Sequence, residues 1–279
     1  MAFQRAPANI GCLQGRLGYF NERQNLLTRW FTLEYDQWFG VVLPSIERLK
    51  SVVPLGGTSN HIRTQVWRDV GGWDQFNVTE DADLGVRLQR KGYDVGLLDS
   101  VTLEEVNSDI VNWVKQRSRW QKGYLQTSVV HLHQPTKAFK ELGWSRWCQL
   151  MMFMAGTPIM AVANFFFWGM FATWLVTRAQ IIEQLFPSVI YYLALGSLVI
   201  GNLSMVYVSV ITLLQSRRHD HLLWSTLLTP LYWVLISVAA VRAVVQLFID
   251  PFHWEKTQHG IGHAPAPGAD ATQSAAATS

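Results

Sequence analysis

The chain has 279 residues and a mass of 31.8 kDa; 49% of it is hydrophobic, only 15% is charged, and 13 residues are tryptophan. Charged residues ordinarily make up about a quarter of a globular protein, so this composition excludes a disordered chain and an ordinary soluble domain, and it points to a bilayer. A formal charge of +3 and a pI near 8.9 are too mild to argue for nucleic acid, whose binding needs basic residues gathered into a stripe.

Cys12 and Cys148 are the only cysteines and lack a CxxC or Cys/His ligand spacing, so neither a disulfide framework nor a zinc site is indicated. Residues 1 to 10 carry no apolar core of a signal peptide. Cys12 to Leu17 (CLQGRL) reads as a short strand, and Asn25 to Leu49 has helical periodicity through Leu26, Trp30, Leu33, Trp38 and Val41. Pro54 to Asn60 (PLGGTSN) sets two glycines beside small hydroxyl residues, which suits either a plain turn or a backbone that must approach a ligand closely. Thr64 to Val70 is expected to be a short helix ended by Gly71 and Gly72.

Thr79 to Lys91 carries a full helix signature: Thr79 as N-cap, Glu80, Asp81 and Asp83 in the first turn, Leu84 and Leu88 on the inner face, and Gly92 as the stop. Tyr93 to Leu98 alternates like a strand, and Ser108 to about Val130 reads as a further helix. Strands alternating with helices predict an α/β layer, although the strands are few.

The charges then stop. Gln149 to Val176 holds none, which is long enough for an interfacial lead-in and a crossing from about Thr157 to Val176. A second apolar run extends from Phe186 to Leu214. The third, Leu222 to Phe248, is interrupted by Pro230 and Arg242, and is a full crossing, a broken helix or an interfacial segment. Four units follow: a globular part over residues 1–134, an interfacial segment over 135–156, membrane or interfacial helices over 157–249, and a loop with a disordered Pro/Ala-rich tail over 250–279. Lys137, Lys140 and Arg146 precede the first run, and Arg217, Arg218, His219 and His221 follow the second. Both places are therefore expected on the cytoplasmic side, with the loop around Arg178 and Glu183 outside.

Three constellations could carry chemistry. Thr79-Glu80-Asp81 at a helix start is either capping or a rigidly held carboxylate fit to take a proton. Helical spacing puts Gln116, Arg119, Trp120 and Gly123 on one face, offering an amide, a forked guanidinium suited to phosphate and an indole plate suited to a sugar ring. The alternative for that helix is a basic surface on lipid headgroups, with Lys115, Arg117 and Lys122 supplying charge and Trp113 the anchor. Phe252 to Gly260 (FHWEKTQHG) is either an interfacial anchor or a mobile loop. His131 and His133 do not face one another, and Asn77-Val-Thr79 matches a glycosylation sequon that a cytoplasmic location would leave unmodified.

GGTSNHIR (Gly56 to Arg63), DVGGWDQFNVTEDADLG (Asp69 to Gly85) and KQRSRWQKG (Lys115 to Gly123), followed by apolar helices, resemble the membrane-integrated family 2 glycosyltransferases, the group of cellulose, hyaluronan, chitin and curdlan synthases. The resemblance covers most of residues 10 to 260. It implies a partial GT-A fold, hence α/β, followed by an α-helical membrane region, facing the cytoplasm, where nucleotide sugars are made. Asp81 matches the aspartate of the TED motif, the general base for an inverting attack by the acceptor hydroxyl, with Glu80 beside it. Gln116, Arg119 and Trp120 match QxxRW, with Gln116 and Arg119 on the donor diphosphate and Trp120 on the acceptor sugar. Gly57, Thr58 and Ser59 would line the acceptor side. Trp254, Lys256 and Thr257 fall in a segment similar to the gating loop. If the third run crosses once, that loop lies on the wrong side; if it is interfacial, the loop stays with the site.

The resemblance departs at the other end. Family members carry a nucleotide-binding half with a DxD motif for Mg²⁺ or Mn²⁺ upstream of the strand matched by Cys12 to Leu17, and these residues are absent here. The chain by itself is therefore expected not to bind nucleotide sugar usefully, and a second chain is one source of the donor half. The expected partners are the bilayer, a nucleotide sugar and a glycan acceptor. A non-catalytic membrane subunit or pseudoenzyme is the first alternative; a transporter is disfavoured because the apolar runs are few and unrepeated.

Overall fold

The computed structural model describes residues 2–178, 187–216 and 222–257. Glu183, the basic cluster Arg217 to His221, the end of the FHWEKTQHG segment and the expected tail lie outside these residues. In chain order the elements are α1 (Ala2–Arg5), β1 (Ile10–Tyr19), α2 (Leu26–Gln37), α3 (Leu43–Arg48), β2 (Asn60–Ile62), α4 (Thr64–Asp69), α5 (Glu80–Arg90), β3 (Asp94–Glu104), α6 (Ile110–Leu132), α7 (Pro135–Met151), α8 (Thr157–Thr177), α9 (Ser188–Ser216), α10 (Leu223–Thr226) and α11 (Thr229–Ile249). The expected α/β layer followed by apolar helices is thus present.

The sheet has the order β2-β1-β3, with β1 antiparallel to β2 and parallel to β3. β1 and β3 extend further than their sequence patterns suggested, pairing as far as Tyr19 with Glu104, and the short β2 was not foreseen. The helix expected over Asn25 to Leu49 forms, but a single wide turn at Trp38–Val42 divides it into α2 and α3. Its start is fixed by a reciprocal cap: the Thr28 amide donates to Asn25 Oδ1 (2.9 Å) and the Asn25 amide to Thr28 Oγ1 (3.0 Å).

One face of the sheet is sealed by Cys12, Leu43, Ile46, Leu84 and Leu88, the last two being the inner face foreseen for α5. Each such side chain stabilises the fold by about 1.5–3 kcal/mol when fully buried. Burial also pushes the Cys12 thiol up to about 12, so it is an inert core residue. Gly85 brings α5 against the segment before the PLGG loop. A Cβ there would stand 2.6 Å from the Val53 carbonyl oxygen and 2.9 Å from the Leu55 nitrogen, and Gln89 Nε2 donates to the same Val53 oxygen (3.3 Å).

The apolar helices are not detached from this half. Trp30, Phe31, Trp113, Leu213, Leu222, Tyr232 and Ile236 share one core that joins α2, α6, α9 and α11. Three helical segments among the described residues are long and apolar enough to cross a membrane, within Pro135–Thr177, Ser188–Leu214 and Thr229–Ile249. The third is α11, which packs along α6 and α8. Trp30 Nε1 donates to the Ser225 carbonyl just before it (3.0 Å), Ser118 Oγ to Ala239 O along it (2.9 Å), and Lys122 Nζ to Asp250 O at its end (3.3 Å). A helix tied at both ends to the globular half holds its C-terminal loop against that half.

Arg242 is neither a lone charge nor a snorkelling one, since its Nη1 pairs with Glu255 Oε2 at 2.8 Å. Because the approach of α5 at Gly85 is against backbone, Gly85→Ala is expected to cost about 1–3 kcal/mol or more. A fall in the thermal midpoint of the purified protein checks this; an unchanged midpoint would contradict the close approach.

Candidate active site

The site is assembled on α6. The loop before α5 is fastened to it by two side chains: Asn77 Nδ2 donates to Thr127 Oγ1 (2.8 Å), and the Val78 amide donates to Gln126 Oε1 (3.3 Å). Thr79 then packs directly on Gly123, where a Cβ would come within 2.2 Å of Thr79 Oγ1. No larger residue fits at Gly123 without moving the start of α5. This contact also corrects the expected capping. Thr79 sits at the N-cap position but its side chain caps nothing; instead the Thr79 amide donates to Asn77 Oδ1 (3.0 Å), and Asp81 Oδ1 accepts from the Ala82 amide (2.8 Å).

Asp81 is thereby aimed at the PLGG loop. A Cβ on Gly57 would lie 3.1 Å from Asp81 Oδ2, so Gly57 keeps the space before that oxygen open. Gln14, buried in β1, clamps the loop from behind by accepting from the Gly56 amide (3.0 Å) and donating to Thr58 O (2.9 Å). Ser59 takes a left-handed backbone conformation (φ 58°), its carbonyl accepts from the Gly15 amide (2.9 Å), and its hydroxyl is engaged with Thr102. Glu80 is exposed at the helix start.

Burial pushes the Asp81 carboxyl up to about 6, with Glu80 adding to the rise, while the Ala82 amide and Arg119 oppose it. Arg119 faces Glu80, Asp81 and Glu255, and its own basicity is lowered by burial, which those carboxylates only partly offset. Its Nε has no partner, nor does the buried Gln116 Oε1 on the same face. Trp120 is half-buried between Phe31 and Tyr35, with the Arg117 guanidinium 4.5 Å from its ring centre.

The 250–257 loop closes the other side. Lys122 Nζ donates to His253 O (2.7 Å), Gln126 Nε2 to Pro251 O (2.7 Å), and the Arg119 guanidinium lies 4.9 Å from the Trp254 ring centre. Glu255 pairs with Arg242 and, at 3.7 Å, with Lys115. Thr257 is buried and Lys256 exposed. Asp81 therefore has Gly57 and Arg119 as neighbours, with Trp254 beyond Arg119, while Trp120 packs toward α2.

The alternative of a headgroup-binding α6 is overturned. Trp113, Arg117 and Lys122 are all buried, because the helix is covered by α2 on one side and by α11 with its following loop on the other. Arg117 donates to Glu34 Oε1 (2.9 Å) and to Tyr232 Oη (3.0 Å), and Glu34 keeps it fully charged against the effect of burial. Sequence reasoning missed Gln14, Asn77, Lys122 and Gln126. Gln14 showed itself only as a lone amide inside an apolar strand. The others are polar residues at helical or turn positions that ordinarily face water.

Metal chemistry is not supported by the donors present. Among the described residues no three His, Cys, Asp or Glu side chains converge as a divalent cation would need, and Glu255 is committed to Arg242.

The chain thus combines an α/β layer, a half-buried carboxylate at Asp81 that faces the Arg119 guanidinium, and helices long and apolar enough to cross a membrane. The chain matches Glycosyl transferase family group 2 over residues 1–249 and belongs to that family. It is 30% identical over 156 residues to the beta-monoglucosyldiacylglycerol synthase of Synechocystis, covering 53% of this chain and 31% of that one. It is 26% identical to the probable glycosyltransferase YdaM of Bacillus subtilis (40% of this chain, 27% of that one) and 27% identical to a probable glucomannan 4-beta-mannosyltransferase of rice (57% and 28%). The chain spans about a third of the length of these curated relatives.

The raised Asp81 value has a consequence for stability. Between the ordinary value of 3.8 and about 6, the folded chain holds a proton that the unfolded chain releases, so stability falls as pH rises through that window. Asp81→Asn is therefore expected to stabilise the protein by roughly 1–3 kcal/mol near neutral pH, with the gain shrinking as pH is lowered through about 6 toward 4. Thermal melts across that range check it; a gain independent of pH, or a loss, would contradict the burial of a charged Asp81.

Proposed function

We propose that this chain is the acceptor-side part of an inverting glycosyltransferase that moves a hexosyl group from a nucleotide sugar to a hydroxyl of a polysaccharide or glycolipid. The observation that carries this is the Asp81 carboxylate, held basic by burial and facing open space over Gly57. Asp81 takes the acceptor hydroxyl's proton as that oxygen bonds to the anomeric carbon and the donor diphosphate leaves with its bonding pair. Arg119, whose guanidinium faces Asp81, offsets the leaving charge, and Gln116 supports it. Trp120 and the Gly57 to Ser59 loop line the acceptor side, with Glu80 at its mouth; Trp254, Lys256 and Thr257 belong to the loop that covers bound donor.

The donor-side carboxylates and their Mg²⁺ or Mn²⁺ come from a longer form of this protein or from a second chain. The domain faces the cytoplasm from the cell membrane, the side on which nucleotide sugars are made. The relatives' names bring two acceptor classes into view, a diacylglycerol lipid and a glucomannan chain.

In native membranes supplied with nucleotide sugar, Asp81→Asn is expected to lower kcat about 10²- to 10⁴-fold. The parent's acid limb should titrate near 6 rather than near 4. Unchanged glycan output from Asp81→Asn would instead favour a non-catalytic subunit.

A further inference from the structure

α11 buries one face against α6, through Tyr232, Ile236, Ala239, Ala240 and Ala243, and leaves the opposite face bare. Leu231, Val238 and Val245 recur every seven residues on that bare face, all exposed, and Phe248 follows at 83% exposure. Phe252 lies three residues beyond the end of α11, in the turn that follows it, and its ring meets Phe76 edge-on at 6.3 Å between centres. An exposed apolar stripe thus runs along α11, and the turn after it meets the loop that leads into α5, where Asp81 stands five residues beyond Phe76.

The two phenylalanines are exposed, yet both are held in place. The Phe76 amide donates to Asp74 Oδ1 (3.0 Å), and Asn77 ties that turn to α6. Phe252 stands between Pro251 and His253, whose carbonyls accept from Gln126 and Lys122. Rigid apolar side chains left in water are unfavourable unless something covers them. Phenyl rings have no polar tip with which to grip a sugar hydroxyl, whereas acyl chains ask only for apolar area.

Resting on the glycosyltransfer reading above, we propose that Phe76 and Phe252 form an apolar subsite for the acyl chains of a membrane lipid whose headgroup hydroxyl is the acceptor at Asp81. The acceptor then reaches the cleft sideways from the bilayer along α11, and a soluble glycan is not the substrate.

The test uses the purified chain in phosphatidylcholine nanodiscs containing a diacylglycerol with a photoreactive diazirine in one acyl chain. Labelling should fall on the peptides carrying Phe76 and Phe252 and be displaced by unlabelled diacylglycerol, while labelling of the α11 stripe, from bulk lipid, should not be displaced. Phe76→Ser with Phe252→Ser should cut the displaceable label at least about fivefold. Phe76→Leu with Phe252→Leu should keep it, which guards against misfolding in the serine variant. Label at 76 and 252 that is not displaced, or that matches a diazirine phosphatidylcholine, means bulk contact only and overturns the subsite.

The enzyme assay separates this from the broader reading. In native membranes with radiolabelled nucleotide sugar, label is expected in solvent-extractable lipid, with the serine pair raising the apparent KM for lipid at similar kcat. Label only in alcohol-insoluble glycan, untouched by the serine pair, overturns the lipid subsite and leaves glycosyl transfer standing. No transfer to any acceptor overturns the glycosyl-transfer reading and takes the acceptor role of the subsite with it.

Discussion

The arrangement depends on a polar stripe of one helix, buried at its Lys122 and Gln126 end. Lys115, Arg119, Lys122 and Gln126 recur at separations of four, three and four residues along α6, so they lie on one face. Each reaches the loop after α11: Lys115 and Arg119 through Glu255 and Trp254, Lys122 and Gln126 through main-chain carbonyls. A buried donor left without a partner costs about 1–3 kcal/mol, and more if charged, so these residues leave the loop little freedom to sit elsewhere. Lys122 also places its charge at the C-terminal end of α11, where the unpaired carbonyls of a helix favour a cation.

Gln126 makes this stripe more than a loop anchor. Its oxygen accepts from Val78 ahead of α5, and its nitrogen donates to Pro251 after α11. One amide therefore holds the strand of chain leading into Asp81 and the base of the covering loop at the same time. Beneath it, Arg117 binds Glu34 of α2 and Tyr232 of α11, so three helices share one buried charge pair. Removing one member of such a pair leaves an uncompensated buried charge, which is far worse than never having had the pair. Cleft and membrane-side helices are consequently one packed unit, and Asp81 is shielded from water enough to raise its proton affinity.

Much of this was legible beforehand. The first-turn carboxylates, Leu84 and Leu88 and the closing Gly92 gave α5 correctly, because a short amphipathic helix with a glycine stop obeys local rules. Asp81, Gly57 and Arg119 were singled out by their motifs, and the structure sets them near one another. What escaped was everything set by distant packing. Lys122 and Arg117 read as charges for a headgroup-facing surface, since nothing local says that α2, α11 and a loop more than a hundred residues away will cover them. Thr79 read as a cap, and lost that role to steric contact with Gly123. α11 could not be placed from hydropathy because apolar length alone does not distinguish crossing a bilayer from lying along another helix.

Hydrogen exchange on the purified chain carrying Gln126→Leu addresses the coupling of the two loops most directly. If the amide holds both, exchange in residues 76–82 and 250–257 should accelerate together by about tenfold or more, while the core of α5 from Leu84 to Gln89 stays protected. Acceleration of only one segment, or of neither, would show that the Asp81 loop and the covering loop are held independently and that α6 does not unite them.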